Sequence, residues 1–199
     1  QYTLSLHDAL PISADGDLLD RANWTFSERI GSWPSWQWIE GNVVVAPDGE
    51  LVILSRANDL AHKTEWPAGA RWRAGGEETA AMIHVGPDGR GLSHDAHRDR
   101  IAFPGGGTKF TIRFDAATAN YLALVNPQTG RRLWRNQLSL SVSTDLRQWR
   151  VCRELLHHPD ANFHAFQYVD WDFDGEDLVF LSGALAGRLP PRALVTGYT

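Results

Sequence analysis

Glu40 and Arg56 are the two side chains on which a chemical reading of this 199-residue sequence can begin. They bracket most of the stretch W-I-E-G-N-V-V-V-A-P-D-G-E-L-V-I-L-S-R, Trp38 to Arg56. Asn42 to Ala46 is an apolar, β-branched run, and Leu51 to Leu54 is a second. Between them Pro47-Asp48-Gly49 reads as a tight turn whose glycine tolerates positive φ. A hairpin returns its far end to its start, so a carboxylate 16 residues (56 − 40) ahead of a guanidinium comes back to the same rim. An acid and a base so placed are either part of a site for a charged ligand or a weak surface ion pair.

Three other constellations have the residue types of metal ligands. Asp170-x-Asp172-x-Asp174-Gly175 matches the start of a calcium-binding loop, but its twelfth position is Leu181 instead of glutamate, and no helical period flanks it. A β-hairpin with an Asp-Gly turn accounts for it better. His94 and His97, with Asp95 and Asp99, have no third ligand at a diagnostic spacing, and His157-His158-Pro159-Asp160 reads as a polar loop. The sequence therefore implies no metal and no cofactor.

The elements that must position such groups are strands. Short apolar runs separated by Gly, Pro, Asp and Asn recur throughout, without a sustained helical period. Candidate strands are Trp24 to Arg29, Asn42 to Ala46, Leu51 to Ser55, Ala80 to Val85, Lys109 to Phe114, Tyr121 to Val125, Gln137 to Ser143, Arg150 to Leu155, His164 to Trp171 and Asp177 to Leu181. Asp-Gly turns fall at Asp48-Gly49, Asp88-Gly89 and Asp174-Gly175, the first two 40 residues apart (88 − 48), a spacing that suits a propeller blade. Strands at this density predict an all-β sandwich, barrel or propeller. Lys63 to Gly76 and Pro104 to Gly107 read as loops; Trp66, Arg71, Trp72 and Arg73 either wall a pocket or belong to a solvated loop.

Bulk properties narrow the function classes. A formal net charge of −5, with no basic run of five, argues against a nucleic-acid-binding surface. No apolar stretch approaches the roughly 20 residues that span a bilayer. The single cysteine, Cys152, excludes an internal disulfide and a cysteine zinc site. Nine tryptophans suit both sugar stacking and a β core. Tyr2 to Ile12, Y-T-L-S-L-H-D-A-L-P-I, matches one reading frame of a common short-read sequencing adapter. Residues 1–13 are therefore expected to be an artefact, with His7-Asp8 a false lead toward a catalytic triad. The genuine chain is then expected to be the C-terminal half of a larger protein over residues 14–182. After Leu181 the sequence turns Ala-, Gly-, Pro- and Arg-rich, and residues 183–199 are expected to be a truncated or frameshifted tail without strand pairing.

A further theme occurs twice. Asp17-Leu18-Leu19 is followed by Trp24, and Ser143-Thr144-Asp145-Leu146-Arg147-Gln148 leads into Trp149. Each resembles the Asp-box turn of sialidase-type propellers, although both lack its glycine. With W-I-E-G-N-V-V-V…D-G-E-L…R, with R-N-Q-L-S-L-S-V-S-T-D-L-R-Q-W after Arg135, and with F-Q-Y-V-D-W-D-F-D-G-E-D-L-V-F, the chain resembles the sialidase (neuraminidase) superfamily, the six-bladed propellers that include exo-α-sialidases and BNR-repeat proteins. The resemblance covers most of Asp17 to Leu181.

It implies a partial six-bladed β-propeller of about three to four blades, each a four-stranded antiparallel sheet. It implies a glycoside hydrolase acting at the end of chains bearing sialic acid or a related acidic sugar, present here as an incomplete and inactive fragment; the alternative is a non-catalytic glycan-binding or structural propeller. Arg56 and Arg135 then correspond to two of three arginines that bind the sugar's carboxylate, a role suited to planar, permanently charged forks. Trp38 and Asn42 are expected beside them in the sugar site. Glu40 corresponds to the base that takes the proton of a nucleophilic tyrosine, since a phenol with a pKa near 10 needs such help at neutral pH. Phe166 occupies the position expected of that tyrosine, so Tyr168 is the candidate nucleophile. The first arginine and the acid/base aspartate are expected upstream. The implied partner is a glycan or sialoside, and the implied location is extracellular or periplasmic.

Overall fold

The computed structural model describes residues 9–11, 15–28, 37–58, 78–95, 97–128, 134–184 and 192–196. Among these, the chain is strand throughout apart from turns, loops and one 3₁₀ turn, Arg21–Asn23. The strands are β1 (Ala9–Pro11), β2 (Trp24–Phe26), β3 (Gln37–Val45), β4 (Leu51–Asn58), β5 (Thr79–Val85), β6 (Leu92–Ser93), β7 (Arg100–Ala102), β8 (Thr111–Asp115), β9 (Asn120–Val125), β10 (Gln137–Ser143), β11 (Arg150–His157), β12 (Phe166–Asp174), β13 (Asp177–Ala184) and β14 (Arg192–Thr196). All ten strands expected from the sequence are present, with ends shifted by a few residues. β1, β6, β7 and β14 are additional.

Three antiparallel meanders form, each pairing strands in sequence order. The first is β3-β4-β5-β6 with β7 also on β5, the second β8-β9-β10-β11, and the third β12-β13-β14; β1 pairs only with β2. This is a propeller-like all-β architecture of antiparallel sheets of three to five strands, with the β1–β2 pair beside them. Two expectations need correcting. Asp48-Gly49 closes β3 onto β4, and Asp88-Gly89 lies between β5 and β6. Both turns thus belong to one sheet, and their 40-residue spacing marks two hairpins of a single blade. The residues after Leu181 do pair: β13 runs on to Ala184, and Arg192–Thr196 lies against Asp177–Leu181. A free sheet edge offers unpaired amides and carbonyls, and a short extended segment suffices to meet them.

The core sits between sheets. Along β9 the side chains alternate with the period of two that a strand imposes. Tyr121, Ala123 and Val125 pack toward Val52, Leu54, Ala80 and Met82 of the first sheet, while Leu122 and Leu124 pack toward Phe166, Trp171, Leu178 and Phe180 of the third. Ile53 and Ile83, on the opposite face of the first sheet, form a third cluster with Val85. Strands β9 and β10 of the middle sheet are therefore covered on both faces, while β11 is largely exposed.

Polar ties fix how the sheets stand against one another. β8 lies between β3 and β12. Asn42 of β3 donates its amide hydrogen to the Phe110 carbonyl (3.1 Å) and accepts from the Ile112 amide (3.0 Å). On the other side of β8 the Thr111 hydroxyl donates to the Val169 carbonyl (2.6 Å), Trp171 Nε1 donates to the Thr111 carbonyl (3.1 Å), and the Arg113 guanidinium donates to the Trp171 carbonyl. Away from these strands Asp99, fully buried, takes Arg98 and, at 3.1 Å, Arg147, which links the first sheet to the turn that follows β10.

Both Asp-box-like turns share their hydrogen bonding. Asp145 Oδ1 accepts from the amides of Arg147 (2.8 Å) and Gln148 (2.7 Å), and Trp149 Nε1 donates to the Leu146 carbonyl (2.9 Å). In the first copy Asp17 Oδ1 accepts from the Leu19 amide (2.9 Å), and Trp24 Nε1 donates to the Leu18 carbonyl (2.9 Å). The glycine missing from the second copy is replaced by strain: Leu146 has a φ of 62°, and its side chain is fully buried in the first core cluster.

Candidate functional site at one rim of the sheets

The β3–β4 ladder pairs Ile39 with Arg56 and Asn42 with Leu54, so Glu40 and Gly41 together oppose a single residue, Ser55. This is a β-bulge, and Glu40 occupies it with a φ of 58°. A non-glycine residue in that left-handed region costs roughly 1–2 kcal/mol. Gly41 beside it is required by space, because a Cβ there would sit 2.6 Å from Ile53 Cγ2.

The bulge turns the Glu40 carboxylate onto Arg56. Arg56 Nη1 donates to Glu40 Oε2 at 2.7 Å, with the guanidinium side chain 8% and the carboxylate side chain 23% exposed. Arg56 Nε donates to the Gly107 carbonyl at 2.9 Å, and the neighbouring Ala57 amide donates to the Gly106 carbonyl at 3.1 Å. The Pro104 to Gly107 loop is therefore the cradle of Arg56. Its glycines let backbone meet backbone: a Cβ on Gly106 would collide with the Thr79 carbonyl, and Gly105, at a φ of 76°, lies against Asn126.

The third sheet carries the same device. Gln167 pairs with Gly183 and Asp170 with Leu181, which leaves Tyr168 and Val169 opposite Ser182. Tyr168 takes a φ of 55°. Thus Glu40 and Tyr168 hold equivalent bulge positions on the first strands of two sheets, the two strands that flank β8. The bulge also gives Phe166 and Tyr168 different surroundings. Phe166 is buried in the core between the second and third sheets, whereas Tyr168 is 53% exposed. Residues two apart would share a face in a regular strand, and the bulge breaks that parity.

Arg135 completes the group. Its Nη1 donates to Gln167 Oε1, its guanidinium carbon lies 6.0 Å from the centre of the Tyr168 ring, and its buried Nε has no hydrogen-bond partner among the described residues. Burial, then the Arg56 charge, lower its proton affinity, while Tyr168 and Glu40 raise it. The four residues thus lie within electrostatic reach at one rim. Lys109, two residues ahead of β8, adds a cation that the sequence reading did not single out; its Nζ stands 5.8 Å from the Tyr168 ring centre. Its only advance signal is position, at the start of the strand between those of Glu40 and Tyr168.

Two expected residues stand differently. Asn42 has its amide oxygen and one amide hydrogen engaged by β8, as above, which makes it a tie between sheets with one hydrogen and one lone pair left over. Trp38 pairs with Ala57 in the ladder, but its side chain lies outside the described residues. So do Trp66, Arg71, Trp72 and Arg73. Asp170-x-Asp172-x-Asp174-Gly175 forms the end of β12 and its turn into β13, with Asp170 and Asp172 at 3.4 and 3.8 Å from Arg113. The two-residue turn places its positive φ, 62°, on Gly175, the position where such hairpins use glycine.

No protein-family model matches the chain, and no curated protein matches it. Its fold is similar to that of an N-acetylgalactosamine deacetylase from F. plautii solved in complex with blood group B trisaccharide, with a TM-score of 0.51 at 11% identity over 83% of this chain and 44% of that one. An exo-beta-1,3-galactanase from Clostridium thermocellum aligns with a TM-score of 0.41 at 13% identity, over 83% of this chain and 32% of that one. The chain spans less than half the length of either protein.

Proposed function

We propose that this rim is part of a pocket for an acidic sugar of the sialic acid type, in a glycoside hydrolase that removes such a residue from the end of a glycan. The observation that carries the proposal is the convergence of Arg56, Arg135, Glu40 and Tyr168, with the acid and the phenol on matching strained bulges. Backbone strain held by surrounding structure is a mark of functional positions. Two guanidiniums and Lys109 suit a sugar carboxylate, each charge-assisted hydrogen bond contributing roughly 1.5–3 kcal/mol. The similarity of fold to the deacetylase, a protein solved with a bound trisaccharide, agrees with a glycan ligand.

In the proposed reaction the Tyr168 oxygen attacks the anomeric carbon and Glu40 accepts the phenolic proton. The bond to the leaving oxygen breaks as an acid from a further blade protonates it. Water then attacks the anomeric carbon and breaks the tyrosyl–sugar bond, its proton passing to the acid that had protonated the leaving group while the Glu40 proton returns to the phenolate oxygen. Further blades supply the third arginine and that acid.

Saturation-transfer NMR with N-acetylneuraminic acid tests the binding half on this chain; no transfer at millimolar sugar would refute it. A fluorogenic sialoside tests the chemical half in a protein extended by the further blades. Glu40→Gln is expected to lower kcat at least a hundredfold, and equal rates would remove Glu40 as the base. A second reading, glycan binding without hydrolysis, draws on Glu40 being held by Arg56 at 2.7 Å. Sugar binding with no turnover in the extended protein would favour it.

A further inference from the structure

The glycine loop that cradles Arg56 is itself held from behind. The Glu78 carbonyl accepts from the Phe103 amide at 2.7 Å, which sets the start of the loop. The Glu78 carboxylate accepts from the Gln128 amide at 3.0 Å through Oε2, and the Gly105 amide also acts on it. Glu78 therefore joins three segments: the start of β5, the glycine loop and the chain leaving β9. The loop in turn presents the Gly107 carbonyl to Arg56 Nε.

We infer that Glu78 is a positioning residue for Arg56, its ionised carboxylate seating the glycine loop and its protonation loosening the aim of the guanidinium. The inference rests on the reading of Arg56 as a sugar-binding residue. Its chemistry follows from what surrounds Glu78. Burial raises its pKa above the usual carboxylate range, and the Gln128 and Gly105 amides oppose that shift by favouring the anion. Among the described residues, Glu78 Oε1 is buried without a hydrogen-bond partner, and so are both amide atoms of the Gln128 side chain. Of the neighbouring elements, the glycine loop presents backbone, the end of β9 presents the neutral Gln128, and β7, paired with β5, presents Arg100, whose Nε donates to the Thr79 hydroxyl. The anion is thus held by two backbone amides, and these are the contacts that protonation weakens.

The test is a pH titration of the isotope-labelled chain by NMR, wild type beside Glu78→Gln, an isosteric change that cannot ionise. In wild type the Arg56 Nε–H and Gly105 N–H resonances should move together through one inflection above the ordinary carboxylate range, and in the variant both should stay flat there. Over the same inflection the wild-type affinity for N-acetylneuraminic acid should fall at least threefold with acidification, while the variant shows no such step. A stationary Arg56 Nε–H in wild type, or the same titration in the variant, overturns the inference. If neither protein binds the sugar while the resonance titration is present and lost in the variant, the sugar site fails and the positioning role stands.

Discussion

The β3–β4 and β12–β13 hairpins use one backbone device for two ends. Each places a non-glycine residue at positive φ in a bulge of the first strand, Glu40 in one and Tyr168 in the other. In the first hairpin the bulged side chain is locked to a buried arginine, and the residue after it is a glycine with no room for a Cβ. In the second the bulged ring stands half in solvent under two cations, and the residue after it, Val169, is part of the core. The same local strain fixes a charge in one sheet and offers an aromatic face in the other. A bulge thus supplies direction, and the neighbouring side chains decide whether the result is rigid or available.

The sharpest way to break this comparison is to put glycine at both bulges. Relief of the left-handed conformation is worth about 1 kcal/mol at either site. At Glu40 that gain is outweighed, because Arg56 is left buried without its partner, and removing one member of a buried pair costs several kcal/mol. Glu40→Gly should therefore destabilise by about 2–3 kcal/mol net. Tyr168→Gly should stay within about 1 kcal/mol of wild type, since half of the ring was never buried. Urea unfolding of the two variants decides it, and equal losses would end the distinction between a locked and an offered side chain.

The residue after the bulge gives a smaller effect. Gly41→Val copies the Val169 arrangement into β3, where it must displace Ile53, and overpacking of this kind costs about 1–3 kcal/mol. A neutral result in the same unfolding experiment would mean that β3 accommodates a side chain there as β12 does. The smallest effect belongs to Lys109. Lys109→Met should leave the unfolding midpoint unchanged and weaken N-acetylneuraminic acid by about two- to fivefold, the weight of one partly exposed cation near an aromatic ring. Unchanged affinity in a calorimetric titration would make Lys109 a bystander of the Tyr168 ring.

Much of the first hairpin was legible in the sequence, because two apolar runs and a Pro-Asp-Gly turn determine a register, and a register returns Glu40 to Arg56. The strands of the second sheet were legible for the same reason, down to the ends of β10. The bulges were not. Nothing in W-I-E-G-N or F-Q-Y-V-D marks a left-handed residue, since glutamate, tyrosine and leucine adopt that conformation only under tertiary constraint. That Phe166 is buried while Tyr168 is half exposed could therefore not be read before the ladder was known. Lys109 was hidden because a cation outside any pattern acquires meaning only from its neighbours across strands. Glu78 was hidden too, as its partners are backbone amides, which no residue type announces. β14 escaped because a five-residue segment after two prolines has too little pattern to stand out from a loop.

The Asn42 amide and the Thr111–Trp171 pair have a consequence beyond holding strands together. Each spans a junction where one sheet meets the next, and each grips backbone atoms, so these hydrogen bonds constrain the rotation from sheet to sheet together with the apolar packing between them. In a propeller that rotation is repeated around a circle. A few degrees gained or lost at every junction change how many sheets close the ring, and the width of the central channel with it. A single asparagine facing its neighbour's amide and carbonyl therefore acts as a gauge: it hands down an angle, and the symmetry of the finished wheel is the sum of such angles.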